Sequence, residues 1–391
     1  MNIELFDRID ADNASKWDND IFEKLNELKE KENIILDCDK LEYISSAGLR
    51  VLLKIKKKFE DIKLINVSSD VYEILDMTGF TKLFDTSKKL RNISIEGLKP
   101  IGIGSTGTVY KLSDDTIIKV FKKHISLDSI KKEIENTKKA FLYGLPTAIS
   151  FDVVKSDDNY AIVMELLADK TLSEAISENP DKAEYYVEKY AKLMKNMHSI
   201  ECKENEFTSV KDQYLDQVSG LINILGKEEY EKLINIIKGL PDSNTMLHGD
   251  PQPKNIMLQG EELVFIDVGE ISLGTPLLDL ADIYLCINNF KTDEMALNYV
   301  GLTLNQLKVF WNNFKKYYFN DYSPEKIELV ENIISYLSVL RKTCFVAKYN
   351  FDEMPEEKRN MLVGLIKNYV SNVLIPKFEE TKDSINKLIE S

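Results

Sequence analysis

Cysteine is scarce: 391 residues hold four, Cys38, Cys202, Cys286 and Cys344, far apart in the chain. That spacing suits neither a disulfide framework nor a thiolate metal site; it fits a reducing compartment, so a cytoplasmic protein is expected. Histidine is scarcer still, with three residues, and three scattered imidazoles build no metal cluster. Arginine supplies only five of the 51 basic residues, set against 65 acidic ones, for a net charge of −14. Such a balance argues against nucleic acid or an anionic membrane as a nonspecific partner. No apolar run has the length of a membrane span, and no signal-peptide pattern opens the chain. What remains is a soluble-type composition, 43% hydrophobic, with the length of two domains.

Against this background the densest chemistry lies at 248–269. His248-Gly249-Asp250-Pro251-Gln252-Pro253-Lys254-Asn255 is followed by Phe265-Ile266-Asp267-Val268-Gly269. Between them Ile256-Met257-Leu258, a turn at Gln259-Gly260-Glu261, and Leu263-Val264-Phe265-Ile266 read as a short antiparallel hairpin. Asn255 precedes its first strand and Asp267 follows its second. Folding the hairpin returns Asp267 beside Asn255, where a carboxylate and an amide oxygen can share Mg2+, a hard cation that takes oxygen ligands. Asp250, five residues before Asn255, is placed to accept the proton of an attacking hydroxyl. The plainer alternative is an ordinary turn and an ordinary strand-end acid.

This H-G-D-x-x-x-x-N followed by D-x-G resembles the catalytic and metal-binding segments of the aminoglycoside and choline phosphotransferase family, relatives of protein kinases. A second, independent signal stands upstream in Ile101-Gly102-Ile103-Gly104-Ser105-Thr106-Gly107-Thr108-Val109-Tyr110. Dinucleotide folds also use G-x-G-x-x-G, but they follow it with a helix. Here 108–112 is β-rich, Ser113-Asp114-Asp115 is a turn and 116–121 is another strand, which is the kinase arrangement. Gly102, Gly104 and Gly107, with Val109, are the expected nucleotide-binding residues, glycine letting backbone N–H groups close over phosphates. No G-K-[ST] ends the loop, which excludes a Walker-type P-loop.

In the next strand a period of two sets Ile117, Lys119 and Phe121 on one face. A charge in so apolar a strand is costly unless paired, so Lys119 is expected to bind the α and β phosphates of ATP; a lysine snorkelling from an edge strand is the alternative. A helix over 129–143, capped by Asp128 and stopped by Gly144 and Pro146, presents Ile130, Ile134, Thr137 and Phe141 on one face, and Glu133 flanking that face is the expected partner of Lys119. Ala161-Ile162-Val163-Met164-Glu165-Leu166-Leu167 resembles the hinge, implying adenine contacts from backbone groups of Glu165 and Leu167, although a plain buried strand reads nearly as well. In Gly274-Thr275-Pro276-Leu277-Leu278-Asp279-Leu280-Ala281 the resemblance makes Asp279 a brace for the catalytic loop, and His248 and His198 read as packing and orienting residues. Between Gly269 and Asp279 there is no room for a long activation segment, and Gln252 stands where a protein kinase usually carries lysine. A small-molecule hydroxyl is therefore the favoured acceptor, and Lys254 a further source of positive charge near the transferring phosphate.

The residues before the glycine loop form a different domain. Strands at 3–6, 33–38 and 62–67 alternate with helices at 14–29, 46–59 and 69–77, which predicts a small sheet covered by helices. Asp10-Ala11-Asp12-Asn13-Ala14, Leu41-Glu42-Tyr43-Ile44-Ser45-Ser46-Ala47-Gly48-Leu49-Arg50-Val51-Leu52-Leu53 and Met77-Thr78-Gly79-Phe80 resemble STAS domains, the fold of anti-sigma-factor antagonists. The family carries a phosphoacceptor serine at the N-terminus of the second helix, which falls on Ser46; phosphate there would meet free N–H groups and the positive end of the dipole. Ser45 or Ser46 can instead simply cap the helix. Ser45 and Ala47 depart from the aspartate and hydroxyl residue usual on either side of the acceptor.

The expected architecture is thus α/β plus α+β. A small STAS-type sheet with helices spans 1–85 and a polar linker 86–97. A bilobal protein-kinase-like fold follows, with a small lobe at 98–167 and, at 168–391, a large lobe whose helical C-terminal portion binds substrate. The expected activity is transfer of the γ-phosphoryl group of ATP, with Mg2+, to a small-molecule hydroxyl, the STAS domain acting as sensor or as dock for an anti-sigma-factor-like partner. The alternatives are a signalling serine kinase with Ser46 as acceptor and a nucleotide-gated scaffold in a partner switch. Asp352-Glu353-Met354-Pro355-Glu356-Glu357 could attract a cationic substrate or be an ordinary solvated loop.

Overall fold

The computed structural model describes residues 1–25, 34–104, 106–167 and 170–390. Residues 26–29 of the expected first helix, Asn33 and Ser105 lie outside the described residues, as does the side chain of Asp352. The chain divides into two compact units, Met1–Glu96 with Val153–Asn159, and Gly97–Asp152 with Tyr160–Ser391.

The first unit runs β1 (Asn2–Ile9), α1 (Ala14–Leu25), β2 (Ile34–Ile44), α2 (Ser46–Lys58), β3 (Ile62–Val67), α3 (Ser69–Met77) and β4 (Asp85–Lys88). Its four strands are parallel, in the order β1-β2-β3-β4. Ile62, Leu64 and Val67 of β3 and the apolar stripe Leu49, Leu52 and Ile55 of α2 meet in one core with Leu5 and Leu36. A Cβ on Gly48 would come within 2.7 Å of Ile44 Cγ1 and 2.9 Å of the Ile9 carbonyl, so only glycine lets α2 lie this close to the sheet. The Ser45 hydroxyl caps α2 by accepting the Ala47 N–H at 3.1 Å, and Ser46 is exposed on the first turn. Three expectations need correction. Strand β1 continues to Ile9, β2 continues past Cys38 to Ile44, and Thr86–Lys88, assigned to the linker, belongs to β4. Mixed polar residues with no buried alternation gave β4 no periodic signal; its pairing with β3 makes it a strand.

The chain continues with β5 (Pro100–Ile103), β6 (Gly107–Lys111), β7 (Thr116–Phe121), α4 (Leu127–Leu142), β8 (Ser150–Ser156) and β9 (Asn159–Glu165), of which Val153–Ser156 and Asn159 are grouped with the first unit and the rest with the second. The sheet order is β5-β6-β7-β9-β8. Helix α4 starts two residues before the expected position, capped by Ser126, whose hydroxyl accepts the Ser129 N–H at 3.1 Å. Asp128 falls in the first turn, where its charge faces the positive end of the dipole. The buried stripe is Ile130, Asn136, Thr137 and Ala140, while Phe141, expected on that face, is exposed.

A mainly helical lobe follows: α5 (Leu172–Glu178), α6 (Ala183–Met197), α7 (Val210–Gln217), α8 (Ile222–Leu225) and α9 (Lys227–Lys238). Next come β10 (Met246–Leu247), the hairpin β11 (Ile256–Gln259) and β12 (Glu262–Phe265), and β13 (Ser272–Leu273), which pairs with β10. The chain ends with α10 (Leu277–Asn288), α11 (Asp293–Tyr299), α12 (Leu304–Tyr318), α13 (Pro324–Ala347), α14 (Glu356–Tyr369) and α15 (Ile375–Glu390). Tyr190, Phe265, Phe310, Phe314, Ile334 and Leu337 are fully buried in its core. Helix α13 packs along α10, and α12 along α6. Among the described residues, no helix is long and apolar enough to cross a membrane.

Candidate active site

The hairpin forms with Ile256 opposite Phe265 and Gln259 opposite Glu262. Its open end is closed by the Ile266 N–H donating to the Asn255 carbonyl at 2.9 Å, so Asn255 and Asp267 stand on neighbouring chain ends. The Asn255 amide nitrogen donates to both Oδ2 and the carbonyl of Asp250, each at 2.9 Å. Gln252 Nε2 donates to the same Asp250 Oδ2 at 2.9 Å, so the residue that departs from the kinase pattern helps orient the carboxylate. Burial pushes the Asp250 carboxyl above the usual range against the pull of Gln252, His248 and Arg341. A base with a raised pKa is better matched to neutral pH.

Lys119 reaches this point from β7. Its Nζ donates to Glu133 Oε1 at 2.8 Å and to Asp267 Oδ1 at 2.9 Å, joining β7, α4 and the D-V-G turn through one ammonium. Burial works to lower the Lys119 pKa, but the two carboxylates outweigh it and hold the amine above its ordinary value. Burial likewise works upward on Asp267, and the Lys119 charge and hydrogen bond bring it below the usual carboxylate range. Asp267 has left-handed backbone, φ 57°, an uncommon conformation for a residue other than glycine and one that clusters at functional sites. A Cβ on Gly269 would lie 2.5 Å from Glu133 Cγ; that glycine lets α4 sit against the turn, where Asn136 Nδ2 donates to the Gly269 carbonyl at 3.0 Å.

In the glycine loop the Gly104 N–H donates to the Gly107 carbonyl at 2.8 Å. A Cβ on Gly107 would meet the Val120 carbonyl at 2.4 Å, so this glycine serves the β6–β7 pairing, whereas Gly102 and Gly104 have no neighbour closer than 3.6 Å at that position. Val109 is the cross-strand partner of Lys119 and shares its face. At the end of β9 the Glu165 N–H is taken by the Ile149 carbonyl, and the buried Leu167 follows. Lys254 Nζ donates to the Asn298 carbonyl at 3.0 Å. Ser46 belongs to the first unit. A cavity of about 610 Å3 flanks α4 at Lys132, Asn136 and Lys139 and holds none of the expected catalytic residues.

Beneath the site lies a buried support. Asp279 accepts the N–H groups of His248 at 2.8 Å and Gly249 at 2.9 Å, and His198 Nε2 lies 3.1 Å from it. His198 Nδ1 is 2.7 Å from the Tyr318 hydroxyl. Burial pushes the Asp279 carboxyl up, yet His198, His248 and the backbone N–H hold it below the usual range. The His248 ring is fully buried, and its Nδ1 accepts the Asp250 N–H at 3.3 Å. Four residues were not foreseen. Arg341 of α13 donates through Nε to Asp282 Oδ1 at 2.7 Å and through Nη2 to the Gly249 carbonyl at 2.5 Å. Outside the buried part, Lys348, seven residues on, pairs with the half-exposed Glu270 at 2.9 Å. The scarcity of arginine, and its place within an apolar helix, were the only available signals.

Among the described residues no group of three or more His, Cys, Asp and Glu could hold a metal. The hard oxygen donors at the hairpin end are the Asp267 carboxylate and the Asn255 amide oxygen, the amide nitrogen being spent on Asp250. Two protein oxygens suit Mg2+, which keeps waters and takes its other ligands from substrate phosphates.

The family model described as "Phosphotransferase enzyme family" matches residues 97–302, and the STAS domain model matches residues 2–93. Aminoglycoside 3'-phosphotransferase of Escherichia coli is 22% identical over 211 residues, 48% of this chain and 77% of that protein. BtrV of Bordetella bronchiseptica, a proposed anti-sigma factor antagonist, is 35% identical over 60 residues, 14% of this chain and about half, 52%, of that relative. Aminoglycoside phosphotransferase APH(2'')-Ib, in its ADP-bound crystal structure, superposes with a TM-score of 0.50 at 19% identity, over 79% of this chain and all of that one. At that identity the likeness is one of fold.

Proposed function

The chain belongs to the phosphotransferase enzyme family, with a STAS domain ahead of the kinase domain, and from that premise we propose an ATP- and Mg2+-dependent kinase that phosphorylates the hydroxyl of a small molecule. The observation that carries this reading is the three-way contact of Lys119 with Glu133 and Asp267. Held by Glu133, Lys119 meets the α and β phosphates. Asp267 and Asn255 would hold Mg2+, which would supply charge neutralisation on the transferring phosphate. Gly102, Gly104 and Val109 cover the nucleotide, with Gly107 keeping the loop's strands paired. Adenine falls to the Glu165 carbonyl and the Leu167 N–H, since the Glu165 N–H is engaged elsewhere. Asp250 accepts the hydroxyl proton, its Oδ2 anchored by two amides. Little covalent chemistry is asked of the protein, so rate comes from position and charge.

Asp250→Ala tests the assignment: turnover should fall by about 10²–10⁴-fold while ATP binding and folding persist, and undiminished turnover removes it. A panel of amino sugars, choline-like alcohols and sugars, read by ATP consumption, identifies the acceptor. A second reading is favoured by Ser46, exposed on the first turn of α2: the kinase, or a partner, phosphorylates the STAS domain, which docks an anti-sigma-factor-like protein. Mass spectrometry after incubation with Mg-ATP tests it; Ser46 left unmodified rejects autophosphorylation.

A further inference from the structure

The peptide that leads into Asp250 is gripped at both of its polar ends. Its carbonyl, that of Gly249, accepts Arg341 Nη2 at 2.5 Å, and its N–H, that of Asp250, donates to His248 Nδ1 at 3.3 Å. A peptide unit is planar, so holding both ends fixes its orientation and with it the position of the Asp250 Cα. The grip is itself held: Asp282 takes the Arg341 Nε–H at 2.7 Å, and both side chains are buried. Gly249 has φ 85° and would set a Cβ 3.1 Å from the Glu270 carbonyl, so the H-G-D loop and the turn after Asp267 pack backbone to backbone. Lys348, the C-cap of α13, ties down Glu270 on that second loop. Both anchors, one within α13 and one at its end, lie beyond residues 97–302, the span of the family match.

We propose that Arg341 is a positioning residue for phosphoryl transfer, setting Asp250 relative to the nucleotide side. This rests on Asp250 being the base. A neutral or single-point donor cannot reproduce the grip. Glutamine lacks the charge that Asp282 requires, and lysine, a single ammonium, cannot serve Asp282 and Gly249 in the fixed geometry of the guanidinium fork. A displacement near 1 Å costs on the order of 100-fold in rate.

The test measures ADP formation from Mg-ATP, with water as acceptor, for Arg341→Lys, Arg341→Gln, Asp250→Asn and, as a packing control, Leu337→Ala in the buried face of the same helix. The expected result for both arginine variants is kcat lowered about tenfold or more, with KM for ATP near that of the wild type, assayed well below each melting temperature. Leu337→Ala lowers the melting temperature but keeps kcat. Wild-type kcat in the arginine variants, or a loss matched by Leu337→Ala, overturns the inference. Asp282→Asn, which loosens the guanidinium, decides by the same criterion where an arginine variant does not fold. Retained turnover in Asp250→Asn instead overturns the assignment of the base, so the two failures are distinguishable.

Discussion

Two groups of charges in the second unit are built to different ends. Around Lys119 the carboxylates of Glu133 and Asp267 share one ammonium at an opening to solvent, with the Asp267 side chain about half exposed. Around Asp279 every charge is buried and spent on the protein: on backbone N–H groups, on His198, and, through Asp282 and Arg341, on the Gly249 carbonyl. Under the proposed function the first group exchanges its internal partners for phosphate and cation. The second cannot change partners without leaving a buried group unsatisfied. Under that proposal one cluster has to be available to ligands and the other fixed.

The sharpest way to break this comparison is Asp279→Ala, which strands two N–H groups and should cost about 3–5 kcal/mol of stability, measured by urea unfolding; a loss under about 1 kcal/mol would place the two clusters on equal footing. The same residue sets a pH signature. Its folded pKa lies below its ordinary value of 3.8, so its contribution is complete above that value and is lost as pH falls through the lower folded pKa. Stability measured from pH 6 to 2 should drop more steeply below pH 3.8 in the wild type than in Asp279→Asn. Gly269→Ala comes next. Its methyl group would displace Glu133, so ATP turnover should fall by about tenfold with a smaller change in melting temperature. If turnover holds, the contact between α4 and the D-V-G turn is not part of the site. Lys348→Ala should have the smallest effect, at most about 1 kcal/mol, because its pair with Glu270 is substantially exposed.

The available cluster was legible in two halves: short-range geometry ties Asn255 to Asp267 and Lys119 to Glu133, 14 residues apart, while the step of 148 residues from Lys119 to Asp267 came from the family resemblance. A hairpin with Asn255 before it and Asp267 after it must return one to the other, and helical periodicity singled out Glu133 even though the cap and one edge of the face were misplaced. Ser126 and Asp128 are both good capping residues, and only the hydrogen bond to Ser129 separates them. Gly107 was grouped with the phosphate loop because of its spacing, whereas its steric demand comes from Val120 on the neighbouring strand. Strand β4 lacked an apolar alternation to reveal it.

Sequence alone singled out two domains, their alternation of strands and helices, and a lysine, two aspartates, a glutamate and an asparagine that the structure joins in two hydrogen-bonded groups, Lys119 with Glu133 and Asp267, and Asp250 with Asn255. These follow from periodicity, turn chemistry and spacing, together with the family resemblance that joins the glycine-loop segment to the hairpin segment. Tertiary structure decided how the H-G-D loop is held. Arg341 lies 59 residues from Asp282 and 92 from Gly249, and nothing in a helix of mixed buried residues says which carbonyl its guanidinium will meet. Contacts of that kind arise when α13 packs against α10, since burying an arginine demands acceptors wherever the packing brings them.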